Sequence, residues 1–184
     1  MPTRKIKKEE LLLKTAEVFR KKGYYGTSMD ELARACGLYK ASFYYYYPGK
    51  EELVCAILKY FLEKLREDLD NIFIKTENRE ELKDNFLKLY SDWCGGGNKG
   101  HLFSMIGTET AQTSNELRVS IRHAYQLWVN AFTRLLSGKY LEVEASAIAH
   151  HMISELEGSA NLSRIMGNLT YYQDSVQKVK TKLR

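Results

Sequence analysis

Between Ser42 and Leu53 the chain reads SFYYYYPGKEEL, with Tyr44, Tyr45, Tyr46 and Tyr47 side by side. A phenol can donate its hydroxyl to a phosphate oxygen, or lay its ring against a thymine methyl group. The residues just upstream, Tyr39, Lys40, Ala41 and Ser42, offer an aromatic ring, a cation, a small side chain that permits close backbone approach, and a hydroxyl. Lys50 adds a second cation at the start of the next segment. An exposed helix N-terminus in this stretch would itself favour phosphate, through its free N–H groups and its dipole. The four rings cannot act alike, because successive helical residues are rotated by about 100°. Phe43 and Tyr47 are four residues apart and share a face. If that face is the core side, Tyr44 and Tyr45 point away from the core and Tyr46 lies at the edge.

The charge distribution points to the same region. Residues 1–50 hold 11 Lys and Arg against 5 Asp and Glu, whereas residues 51–184 hold 17 against 18. The whole positive excess of the chain, +5, therefore lies in its first quarter. A compact basic segment beside a near-neutral remainder suits a polyanionic partner for the first part only. The plainer alternative is a solvated basic face with no partner.

The elements that must position these residues are helical. From Lys7 to Lys22, Leu11, Leu12, Thr15, Val18 and Phe19 recur at helical spacing, with Arg20, Lys21 and Lys22 in the last turn and Gly23 as a cap. A second helix opens at Thr27 or Ser28, where Ser28 and Glu31 fit a capping box, and Gly37 ends it. A third, brief helix starts near Tyr39 or Lys40 and must stop before Pro48. Leu53, Ile57, Phe61, Leu65, Leu69 and Ile72 then mark one long helix over about 50–74. Further helices are expected at about 79–94, 102–111, 115–137, 143–166 and 170–182. Between them lie CGGGNKG (94–100), read as a flexible loop, TSNE (113–116), with Ser114 or Asn115 as N-cap, and the stop signals SGKYLE and MGNLT. The expectation is an all-α protein of about nine helices: a three-helix head over residues 1–50 and a six-helix body over residues 51–184. A two-turn helix, a glycine turn and a short helix outline a helix-turn-helix, whose second helix enters the major groove.

The segment TSMDELARACGLYKASFYYYYPGKEELV is similar to the DNA-binding signature of the TetR family of transcriptional regulators, with an AcrR-like head. The resemblance covers about residues 10–57. It rests on GY after the first helix, TS opening the second, Gly37 and Lys40 through the turn, a Tyr in the recognition helix and KEEL after Pro48. It implies that Thr27, Ser28, Tyr39, Lys40, Ala41, Ser42, Tyr44, Tyr45, Tyr46 and Lys50 form the DNA-binding set. Tyr44 matches the family's DNA-contacting tyrosine, Tyr45 and Tyr46 match variable contact positions, and Lys50 matches a phosphate-contacting lysine. Phe43 and Tyr47 match core positions. Tyr39 stands where a small residue is common.

The same resemblance implies a homodimer formed by the last two long helices, a near-palindromic double-stranded operator, and release by a small-molecule effector held in the body. Ala145, Ala149, Gly158 and Ala160 permit close helix approach at such an interface, or serve packing within the chain. GHLFSMIGTETA and ELEGSANLSRI resemble segments of one TetR C-terminal type, with His101 where Cys is common. Trp93, Phe103, Met105, Tyr125, Trp128, Phe132 and Met152 are candidate pocket walls or core residues, and His101, His150 and Glu155 candidate polar groups. The adjacent imidazoles of His150 and His151 diverge by about 100°, a poor metal pair.

Other functions find little support. No phosphate loop, HExxH or paired acid–base spacing is present, so no enzyme is expected. Cys36, Cys55 and Cys94 show no CxxC spacing, which argues against a disulfide framework or a zinc site, and no cofactor is expected. The basic N-terminus lacks an apolar signal core and no membrane-length apolar run follows, so the expected location is the cytoplasm. The alternative function is a non-specific nucleic-acid binder that stacks bases on its tyrosines, without ligand control.

Overall fold

The computed structural model describes residues 6–97, 99–112 and 114–183. Asn98 of the glycine loop and Thr113 of the cap segment lie outside the described residues. Among the described residues the regular structure is helical, with one isolated bridge between Ser137 and Tyr140. The helices are α1 (Lys8–Lys22), α2 (Met29–Ala35), α3 (Lys40–Tyr46), α4 (Lys50–Lys75), α5 (Arg79–Trp93), α6 (Leu102–Thr110), α7 (Asn115–Leu136), α8 (Glu142–Met166) and α9 (Thr170–Leu183).

Local chemistry sets these boundaries. Gly23 closes α1 with its N–H on the Phe19 carbonyl. Ser28 caps α2, its Oγ accepting from the Glu31 N–H. Gly37, at φ 68°, lets the chain leave α2 in a left-handed step, and Leu38 N then reaches back to Ala33 O at 2.9 Å. Tyr47 is extended, as the residue before a proline prefers, and so ends α3. Asn78 caps α5 with bonds from Glu80 N and Glu81 N, and Ser114 Oγ accepts from Leu117 N at the start of α7.

The chain forms two compact units. The first runs to Glu63 and takes back Leu102–Ile121; the second is Lys64–His101 with Arg122–Arg184. In the first unit Leu11, Phe19, Leu32, Phe43, Leu53, Ile57, Phe103 and Ile106 are buried. This grouping differs from a free-standing three-helix head. The beginning of α4, together with α6, adds apolar side chains to the same unit, and α6 packs on α1.

The second unit is built on an aromatic cluster. Phe86 and Phe132 meet edge to face at 4.8 Å, and Tyr90 and Trp128 at 4.7 Å. The glycine loop read as flexible is closely packed where Gly97 is concerned. Gly97 is buried with φ 78°, and a Cβ there would come within 2.6 Å of the Tyr172 ring.

Candidate nucleic-acid interface

Within the first unit, α3 sorts its tyrosines by side. Phe43 is fully buried, and Tyr47, one residue past the helix, is 8% exposed. Tyr44 is 40% and Tyr45 89% exposed, with Tyr46 half-buried and its ring edge-on to Tyr45 at 6.0 Å. Tyr39, the residue before α3, is 73% exposed, and Lys40 and Ala41 are exposed beside it. Ser42 is half-buried. The outward side of α3 thus offers phenols, a cation and a small residue together.

Lys40 Nζ lies 2.8 Å from Asp30 Oδ1, and this hydrogen bond raises its pKa. Both partners are solvent-exposed, so the pair holds Lys40 only loosely and its charge remains available to a phosphate.

Two members of the expected set also have structural work. Thr27 is buried, and its Oγ1 donates to the Gly23 carbonyl at 2.7 Å, so its hydroxyl is closed onto the loop between α1 and α2. Lys50 also turns inward. Its Nζ donates to Tyr24 O at 2.6 Å and Thr27 O at 3.0 Å, and lies 4.3 Å from the Tyr24 ring centre. Burial lowers its pKa. Two of its three donors are therefore engaged in holding the loop that precedes α2. Lys50→Met should leave both carbonyls without this partner and destabilise the protein by about 1–2 kcal/mol. Urea unfolding would read this as a lower midpoint, and an unchanged midpoint would remove the brace from the account.

Sequence reasoning missed Glu109. Its Oε2 accepts the Tyr25 N–H at 2.8 Å, and its carboxylate occupies the space where a side chain at Gly23 would start. A signal existed: an acid in the last turn of α6 opposes the helix dipole, so a partner elsewhere was to be expected.

Two comparisons decide the family. Residues 8–57 match the family described as "Bacterial regulatory proteins, tetR family", and residues 94–174 match "Transcriptional regulator LmrA/YxaF-like, C-terminal domain". The chain belongs to the TetR family of transcriptional regulators. It is 28% identical to the HTH-type transcriptional regulator LmrA of Bacillus subtilis over 170 residues, 89% of each chain. It is 25% identical to the uncharacterized HTH-type transcriptional regulator YxaF of the same organism, over 89% of this chain and 87% of that one. A crystal structure of a TetR transcriptional regulator from Legionella pneumophila superposes with a TM-score of 0.86 at 20% identity, over 98% of this chain and 100% of the other. That likeness fixes the fold. As a TetR-family member the protein is a DNA-binding transcriptional regulator with a helix-turn-helix.

The body residues expected from the TetR resemblance fall in both units. Phe103 and Met105 belong to the first unit and the others to the second. Trp128, Phe132 and Met152 are fully buried, the first two in the aromatic cluster. Trp93 Nε1 donates to Asp68 Oδ2 at 3.2 Å. Glu155 pairs with α9, 3.4 Å from Lys182 Nζ and 4.0 Å from Lys178 Nζ. The carboxylate that meets His101 is Glu157, whose Oε1 lies 2.8 Å from His101 Nδ1 and 3.2 Å from the Tyr90 hydroxyl.

Tyr125 and His150 do share a cleft of about 450 Å³ with Arg122, Ser154 and Glu157. Ala145, Ala149 and Ala160 are buried within their own protomer. Gly158 faces open space. Among the described residues no helix is long and apolar enough to cross a membrane.

Proposed function

We propose that this protein is a homodimeric repressor acting in the cytoplasm on a near-palindromic operator. One α3 from each protomer reads the major groove, and a small molecule bound in the body releases the DNA. Residues 1–50 carry the DNA contacts, and residues 51–184 the dimer and effector functions. The observation that carries this reading is the division of α3: Phe43 and Tyr47 are buried, while Tyr39, Lys40, Ala41, Tyr44 and Tyr45 stand outward. Ser28, exposed at the start of α2, and Ser42 and Tyr46 complete the contact set.

Dimerisation is supported by an apolar stripe on α8 and beyond it. Leu162, Ile165 and Met166 are exposed along the end of α8, with Leu169 and Tyr171 following. Gly158 continues the stripe one turn earlier, and its missing side chain permits a close approach. Burying this stripe against a second copy removes it from water, and a two-fold pair carries two α3 helices, one for each half-site. The cleft containing Arg122, Tyr125, His150, Ser154 and Glu157 is the proposed effector site, lined by both apolar and ionisable groups. An effector can release DNA only by preferring the arrangement that does not fit the operator. Parts of α4 and α7 belong to each unit, so they are the elements through which such a preference is passed.

Selection of duplexes from a random pool tests the reading. A near-palindromic sequence should emerge, and its affinity should fall by about 10³-fold or more between roughly 50 and 200 mM salt, as several phosphate contacts are lost. Equal affinity for the selected duplex, random duplex and single strand would instead favour a non-specific binder.

A further inference from the structure

We propose that Cys94, His101 and Glu157 form a binding site for one thiophilic divalent metal ion of the zinc class. Their donor atoms, a thiol sulfur, an imidazole nitrogen and a carboxylate oxygen, all lie within 4.8 Å of one another. Cys94 and His101 are buried and Glu157 is half-buried. Sulfur, nitrogen and carboxylate oxygen are donors zinc accepts, and three protein ligands leave a fourth position for water or another ligand.

Two separate features of the fold assemble the set. Cys94 follows α5 and His101 precedes α6, and the glycine turn between them brings the two together. That turn is fixed by the packing of Gly97 on the Tyr172 ring. Glu157 arrives from the middle of α8, more than 50 residues further along. The glycine loop, unexplained by DNA binding, thus acquires a purpose: it brings a thiol and an imidazole to face one carboxylate.

The neighbours hold the ligands in place. The Tyr90 hydroxyl donates to Glu157 Oε1, and the His101 ring packs edge to face against Tyr125 at 5.8 Å and Trp128 at 6.4 Å. Such outer partners orient ligands and tune affinity. Glu157 and Tyr125 also line the 450 Å³ cleft, which supplies an approach for the ion and for its fourth ligand.

On one tetrahedral zinc, nitrogen and oxygen donors stand about 3.3 Å apart and a sulfur about 3.6 Å from either. If Nδ1 is the ligating nitrogen, the 2.8 Å contact between His101 and Glu157 opens by about half an ångström. Binding replaces the thiol proton of Cys94, which passes to water, so affinity rises with pH.

The site does not depend on the effector reading, and its test needs no DNA. The reduced full-length protein, stripped of metal, is titrated with Co²⁺ as an optical probe and then with Zn²⁺. The expected result is one equivalent of Co²⁺ giving a thiolate-to-cobalt charge-transfer band, displaced by Zn²⁺. Cys36→Ser and Cys55→Ser should keep the band. Neither thiol belongs to the Cys94, His101 and Glu157 cluster, and both lie in the first unit while the cluster lies in the second. Cys94→Ser should lose the band, and Glu157→Gln, which trades a charged ligand for a neutral amide, should weaken Co²⁺ binding by at least the roughly 10- to 100-fold that losing an outer partner costs. No band in the wild-type protein, or a band that survives Cys94→Ser, would overturn the proposal. If circular dichroism finds Cys94→Ser unfolded, Glu157→Gln decides alone, and unchanged Co²⁺ affinity in that variant overturns it.

Discussion

Tyr44→Ala is expected to remove most of the preference for the specific DNA site while leaving folding unchanged. Tyr44 lies one turn beyond Lys40 on α3, so its phenol and the Lys40 ammonium rise from the same side of the helix. The Tyr44 ring is 40% exposed, enough to meet a base edge or phosphate, yet not free of its own helix. Losing one such contact costs about 1–3 kcal/mol. A two-fold complex loses it twice, which amounts to on the order of 10²- to 10⁴-fold in affinity. That consumes much of the margin by which a specific site outcompetes random duplex. Folding should not follow, because truncating a half-exposed side chain away from the core shifts stability by only about 0.5 kcal/mol. Fluorescence anisotropy on the selected and random duplexes, paired with thermal melts, reads both effects. If the variant kept its preference for the selected duplex, the outward side of α3 would not be the reading surface.

The sequence made the head legible because its signals are local. Ser28, Gly37 and Pro48 each act within a few residues, through a cap, a left-handed step and a restriction on the preceding residue. The tyrosines could be sorted because helical rotation alone separates Phe43 and Tyr47 from Tyr44 and Tyr45. Helix ends in the body came close for the same reason: the expected 115–137 is Asn115–Leu136.

What escaped was set by distant partners. Lys50 matches a phosphate-contacting position, but its direction depends on carbonyls 23 and 26 residues upstream. Glu109 engages the loop before α2 across 84 residues. Cys94 and His101 look unrelated to Glu157 until α8 is placed beside them. Ala145, Ala149 and Ala160 read the same in sequence whether they face a partner or the interior, because small size permits close approach in either case. The exposed Leu162, Ile165 and Met166 discriminate better, since burying them requires something outside the protomer.

The second large effect belongs to the buried side of α3, where Phe43→Ala and Tyr47→Phe should move stability in opposite directions. Phe43 is fully enclosed, and its ring has no route to solvent. Truncation removes the ring and leaves a cavity in the unit that also holds Leu11, Phe19 and Ile57, costing about 3–5 kcal/mol. For a chain of this length the melting temperature should fall by on the order of 10 °C. Tyr47 is also buried, but its hydroxyl has no hydrogen-bond partner among the described residues, and burial raises its pKa. Tyr47→Phe keeps the ring and removes a polar group stripped of water without compensation, so it should stabilise by about 1 kcal/mol, or about 2–4 °C. The contrast separates packing from hydrogen bonding at adjacent points of one core. A fall in melting temperature for Tyr47→Phe would mean that the hydroxyl holds a bonded water or partner, and that Tyr47 anchors the end of α3 by more than its ring. A small loss for Phe43→Ala would mean that the core collapses around the site. The outward tyrosines would then sit on a more pliable helix than their fixed geometry requires.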